Sequence, residues 1–223
     1  MKGNSYYSRK LHSLLGVIPL GMFIVVHGLT NYQAFERGPE GFSKGVHFIN
    51  SLPLVTLLEI VGIYLPILFH GIYGLFVAYQ SNSNTGRFKY GRNWAFTAQR
   101  VTGVLTFIFI VWHVFETRVQ VYLGNVTHEE LGSLMNSIAT NPLMFTFYVI
   151  GVLAAVFHFS NGLWAFLISW GITISARAQK VSSYICMIVF VIVSAMFILS
   201  LVAFQGDEFK EAASVALAWT NIG

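Results

Sequence analysis

Four histidines, His27, His70, His113 and His158, each stand alone inside a different long apolar stretch of the chain. An ionisable side chain is costly in a bilayer and, where it occurs, usually marks function. Neutral imidazole is a common ligand of haem iron. Four imidazoles on four segments suffice for two irons, each gripped by a pair. A single histidine in an apolar helix is more often a hydrogen-bonded core residue. The set of four, one per segment, is what favours ligation. The remaining histidines read differently. His47 and His128 fall in connecting segments and are expected to be solvated, whereas His12 lies beside Arg9 and Lys10 and reads as interfacial, with a headgroup or haem-propionate contact as the alternative.

Those histidines must be positioned by membrane-spanning helices. Of the 223 residues, 55% are hydrophobic and 10% charged, against roughly a quarter charged in soluble domains. The first apolar run is too long for a cleavable signal peptide and lacks a clear small-residue cleavage site, so it reads as a mature span. The single cysteine, Cys186, excludes an internal disulfide, a zinc cluster, a four-cysteine iron–sulfur centre and a CxxCH haem attachment. Any metal is then held mainly by histidine.

A crossing helix needs roughly 20 apolar residues. The expected fold is an all-α membrane protein, a bundle of five helices at about 11–35, 54–80, 95–121, 142–173 and 181–204. The whole chain, 1–223, is expected to form one membrane-anchor domain with an outer tail at 205–223. Breakers separate the helices at Gly38-Pro39, Ser81-Asn82-Ser83-Asn84, Gly124-Asn125 and Asn141-Pro142. One side collects nine of the thirteen Lys and Arg residues, and the other collects four with all nine carboxylates. The positive-inside rule therefore puts the N-terminus in the cytoplasm. The basic excess is a topology signal and not a nucleic-acid footprint.

Depth pairs the histidines. His27 lies nine residues before Glu36 and His113 three before Glu116, both at the outer ends of their helices. His70 lies eleven after Glu59 and His158 sixteen after Pro142, deeper and toward the inner side. The outer pair is His27 with His113, and the inner pair His70 with His158. The levels differ by about ten residues, roughly 15 Å of helix.

Residues eleven apart share a helix face. Gly16 is eleven before His27 and is a candidate to make room for a macrocycle edge; Gly71, Gly74 and Gly151 read the same way, with close helix packing as the alternative. Glu59, eleven before His70, is expected on that histidine's face as a proton-handling carboxylate for a quinone, with an interfacial helix-start acid as the alternative. Pro19 and Pro66 each remove a helix hydrogen bond and are expected to kink their helices. Arg9, Arg92, Arg100 and Arg118 are candidates to neutralise propionates, though snorkelling explains them as well.

Several stretches carry a family resemblance. They are 8–21 (SRKLHSLLGVIPLG), 47–53 (HFINSLP), 65–74 (LPILFHGIYG), 92–94 (RNW), 99–103 (QRVTG), 112–118 (WHVFETR) and 158–171 (HFSNGLWAFLISWG). Together they span nearly the whole chain. The sequence resembles the di-haem cytochrome b (b558-type) membrane anchor subunits of succinate dehydrogenase, the succinate:menaquinone reductases of Bacillus-type Gram-positive bacteria. The tail at 205–223 matches no family motif.

The resemblance implies two b haems enclosed by the five helices in the bacterial cytoplasmic membrane. It implies His70 and His158 as proximal ligands and His27 and His113 as distal ligands. It implies flavoprotein and iron–sulfur partners on the cytoplasmic face, the basic inner loops meeting the latter. Electrons would run from the iron–sulfur subunit through the proximal and then the distal haem to menaquinone. The chain would be an enzyme subunit, since it has no flavin or dicarboxylate motif of its own. The alternatives are a menaquinol:fumarate reductase anchor working in reverse, or a haem-free transporter using histidine relays. A transporter would usually carry a repeat or paired broken helices, and neither is evident.

Overall fold

The computed structural model describes residues 2–81, 86 and 89–210. In order, the helices are α1 (Lys2–Val17), α2 (Pro19–Asn50), α3 (Val55–Glu59), α4 (Leu65–Tyr79), α5 (Gly91–Glu116), α6 (Arg118–Tyr122), α7 (Leu131–Thr140), α8 (Pro142–Ser169) and α9 (Ala176–Ala203). A π-helical turn, Ile60–Tyr64, joins α3 to α4. Five helical stretches are long and apolar enough to cross a membrane: Tyr6–Asn50, Val55–Tyr79, Gly91–Tyr122, Pro142–Ser169 and Ala176–Ala203. The breaker at 81–84 is described only at Ser81; Asn82, Ser83 and Asn84 lie outside the described residues.

The spans turn large apolar side chains outward, as a bilayer requires. On the second span, Val61, Leu65, Leu68, Ile72 and Phe76 form an exposed apolar stripe. Their spacing of three or four residues keeps them on one face, leaving the other to Pro66, His70 and Tyr73. On α9 the inward face carries Ser182, Cys186, Val193, Phe197, Ser200 and Leu201, all buried. Small residues on such a face let backbones approach closely. Two buried hydroxyls close locally: Ser182 donates to the Gln179 carbonyl and Ser200 to that of Met196.

The prolines interrupt their spans by different routes. Ile18 is a turn between α1 and Pro19, the first residue of α2. Pro66 sits in the first turn of α4, directly after the π turn. At Gly38 the backbone leaves the helix (φ 63°, ψ −154°), so α2 is two helices meeting before Pro39. That φ favours glycine.

A π turn, Ile60–Tyr64, lies between Glu59 and His70. Glu59 itself is half-buried between the exposed Leu58 and Ile60.

The chain divides into two compact units. One comprises the described parts of Met1–Val25, Thr56–Phe107 and Leu153–Val193. The other comprises those of Val26–Val55, Ile108–Val152 and Ser194–Gly223. The second unit contains α7, a helix not anticipated between the third and fourth spans. Thr127 and Glu130 form a capping box just before it: the Thr127 amide donates to Glu130 Oε2 (2.8 Å) and the Glu130 amide to Thr127 Oγ1 (3.3 Å). Leu131, Leu134, Met135, Ile138 and Ala139 then follow helical spacing. In the same unit Phe204 packs edge-on against Phe42 and Phe209, each with ring centres 4.9 Å apart. Of the tail, residues 205–210 are described, with Phe209 fully buried, while 211–223 lie outside the described residues.

Asn136 ties this cluster together. Its buried amide donates to the carbonyls of Phe204 (2.8 Å) and Gly206 (3.0 Å). Asn136→Ala strands both acceptors and is expected to cost about 2 kcal/mol, read as a lower unfolding temperature of the detergent-solubilised protein.

Candidate functional site

In the first unit, His70 projects from α4 and His158 from α8. Their ring centres are 6.0 Å apart and their planes 83° apart. Each turns Nδ1 to a backbone carbonyl: His70 to His12 O (2.9 Å) and His158 to Gln99 O (3.0 Å). A carbonyl only accepts, so both Nδ1 atoms carry the proton, which leaves each Nε2 with its lone pair. Ligating histidines are commonly oriented in this way. Gln99 reinforces the arrangement, donating through Nε2 to the His158 carbonyl (2.9 Å) and accepting from Asn161 (2.7 Å).

Two glycines admit these rings. A Cβ on Gly16 would lie 2.4 Å from His70 Cε1, and one on Gly103 would lie 2.8 Å from His158 Cε1. Gly16 thus makes room for the His70 imidazole, and it also lines the cavity beside that ring. The other glycines also receive neighbouring rings: Phe107 at Gly71, His12 at Gly74 and Phe109 at Gly151.

His12 packs against the His70–His158 pair. Its ring stacks on His70 with centres 4.0 Å apart and planes within 4°. Its Nε2 is buried without a hydrogen-bond partner and faces Gly74. A cavity of about 380 Å³ is lined by His12, Gly16, His70, Arg92, Gln99 and His158, among others. Of the four candidate arginines, Arg92 lines this cavity, donating to Gln179 Oε1 (2.8 Å) with its guanidinium over the Trp164 ring. Lys10 Nζ donates to the Ser169 carbonyl.

In the second unit, His27 of α2 and His113 of α5 also have ring centres 6.0 Å apart, with planes 67° apart. Asn31 braces His27, donating to its carbonyl (2.8 Å), and its amide lies 3.4 Å from His27 Nε2. His113 Nδ1 lies 3.4 Å from the Tyr148 hydroxyl, which donates to Glu116 Oε2 (2.9 Å). Phe109 stacks on His113 and Phe197 packs on His27. Arg118 donates to His128 Nε2 (2.8 Å) and to Asn50 Oδ1 (3.4 Å). His128 is therefore half-buried and hydrogen-bonded, unlike the expected solvated residue; His47 is exposed, as expected.

With a metal–imidazole bond of roughly 2.0 Å and about 1.2 Å from nitrogen to ring centre, two imidazoles across one ion have centres roughly 6.4 Å apart. Both pairs lie at 6.0 Å. Among the described residues, no three or more His, Cys, Asp or Glu side chains gather as a metal site. An ion offered only two protein donors needs the rest of its coordination from elsewhere, and a porphyrin brings it. The residues fit haem.

The histidines define a class: a multi-pass, all-helical membrane protein whose spans bring imidazoles together in facing pairs. A family model described as succinate dehydrogenase/fumarate reductase transmembrane subunit matches residues 78–199. The succinate dehydrogenase cytochrome b558 subunit of Bacillus subtilis (strain 168) is 45% identical over 205 residues, covering 92% of this chain and 100% of its own length. The chain belongs to the family of succinate dehydrogenase/fumarate reductase transmembrane subunits.

Sequence reasoning named the four paired histidines but missed their supports. Gln99, Gly103 and His12 lie inside stretches that carried the resemblance, yet nothing in their spacing told that they touch His158 or His70. Gly103→Val should drive its branched side chain into the His158 ring. The expected result is loss of about half the haem of the purified protein, measured as pyridine haemochrome, with the helical circular-dichroism signal retained.

Proposed function

We propose that this chain is the di-haem cytochrome b anchor of a succinate:menaquinone oxidoreductase in the bacterial cytoplasmic membrane, with its N-terminus in the cytoplasm. His70 and His158 hold the proximal haem b, and His27 and His113 the distal one. Haem supplies a reversible one-electron couple at each pair. A flavoprotein and an iron–sulfur protein dock on the cytoplasmic face and oxidise succinate, and menaquinone is reduced toward the outer side. The relative's name supports succinate dehydrogenation as the direction and cytochrome b as the cofactor class.

The observation that carries this reading is the equal 6.0 Å ring separation in both pairs. The protein's part is to orient and to exclude water. His12 O and Gln99 O fix the tautomers of the proximal pair. Phe109 and Phe197 pack on the rings of the distal pair. Arg92, at the proximal cavity, is placed to balance propionate charge. The nine basic residues against four favour the cytoplasmic placement of the docking face. Glu59, near the outer start of the second span, is the proposed carboxylate for quinone protonation.

Substitution of the ligands tests the pairing. His70→Ala or His158→Ala should remove one haem, and His27→Ala or His113→Ala the other, seen as distinct losses in reduced-minus-oxidised spectra. Loss of the same haem from His27→Ala and His70→Ala would break the pairing, and a colourless wild-type protein would remove the function altogether. Glu59→Gln should slow quinone reduction by the whole complex by roughly a hundredfold with both haem spectra intact; unchanged turnover would take Glu59 out of the mechanism.

A further inference from the structure

The two histidine pairs are braced by different chemistry. His70 and His158 donate from Nδ1 to neutral backbone carbonyls. His113 has no such carbonyl among its described Nδ1 contacts and faces a chain that ends on a carboxylate. Tyr148 is buried, with 2% of its surface exposed. Its hydroxyl donates to Glu116 Oε2 at 2.9 Å, so the oxygen's lone pairs remain to accept from His113 Nδ1–H at 3.4 Å. Trp112 Nε1 donates to the same Oε2 at 2.9 Å and holds the carboxylate in place. Every donor therefore points toward Glu116. The sequence builds this locally: Trp112, His113 and Glu116 share one turn of α5, and Tyr148 comes across from α8.

We propose that Glu116, acting through Tyr148, is a positioning and tuning residue for the His27–His113 haem and lowers that haem's reduction potential relative to a neutral brace. A negative charge at the end of a hydrogen-bonded chain makes the ligating imidazole more electron-rich. A more electron-rich ligand, and the charge itself, favour the oxidised metal. Tyr148 also fixes the tautomer that leaves Nε2 of His113 for iron. The proposal rests on the bis-histidine assignment of this pair. It adds a residue one hydrogen-bonded link removed from the His113 imidazole, and it sets the two haems apart by their braces.

The test is redox titration of the purified complex followed at each haem's α-band, for wild type, Glu116→Gln, Tyr148→Phe and the double variant. Gln keeps an acceptor oxygen for the Tyr148 hydroxyl while removing the charge. Glu116→Gln should make the outer haem about tenfold easier to reduce, roughly 59 mV for a one-electron couple, with the inner haem unmoved. Tyr148→Phe should shift the same haem in the same direction, and the double variant should shift it no further than the larger single effect. An unshifted outer haem in Glu116→Gln overturns the proposal. A Glu116→Gln shift that persists in full on the Tyr148→Phe background overturns the route through Tyr148. If Tyr148→Phe does not retain haem, Glu116→Gln decides alone. Failure of the underlying assignment looks different: His113→Ala would then keep both haems.

Discussion

An imidazole inside a bilayer has two ring nitrogens and no water to satisfy them, and everything around the paired histidines follows from that. One nitrogen must be given a partner from the protein so that the other can be offered elsewhere. For His70 and His158 the partner is a main-chain carbonyl on a neighbouring helix, His12 O or Gln99 O. In an α-helix a carbonyl normally belongs to the amide four residues on. Sharing it with a side chain requires two helices to come very close. The glycines at 16 and 103 permit that approach, because any side chain there would collide with the ring it admits. The aim of the two rings is thus set by helix contact as much as by the histidines themselves.

The same economy explains the character of the spans. Outward positions are large and apolar, as with Leu65, Leu68 and Ile72. Inward positions are glycine, serine and aromatic rings. Hydrophobic burial cannot drive helices together in lipid, so packing and a few internal hydrogen bonds must. Asn161, Gln99 and His158 form such a set in one unit. Asn136, with the carbonyls of Phe204 and Gly206, forms one in the other.

Much of this was legible in the sequence. Five spans followed from the apolar runs and the breakers between them, because runs of this length have few other uses. The partners of the four histidines followed from counting residues from span ends marked by a carboxylate or a proline. Main-chain partners were not legible: any residue has a carbonyl, so nothing marks His12 or Gln99 as acceptors. The stacking of His12 on His70 was not legible either, because its charged neighbours, Arg9 and Lys10, told only of an interfacial position. The α7 helix was legible and was overlooked, since Thr127 and Glu130 announce its start and the apolar spacing follows. The π turn after Glu59 was not legible for a different reason. Face arithmetic assumes a uniform helix, and no residue between 60 and 64 advertises a wider turn.

That wider turn has a consequence for how the second span tolerates change. A helix without interruption transmits any twist at its entrance along its whole length. Ile60–Tyr64 already holds surplus backbone, and Pro66 follows with no amide hydrogen to give. Slack of this kind absorbs rotation locally. The entrance of the span can be remodelled, by insertion or by contact with a neighbour, while the segment bearing His70 keeps its aim.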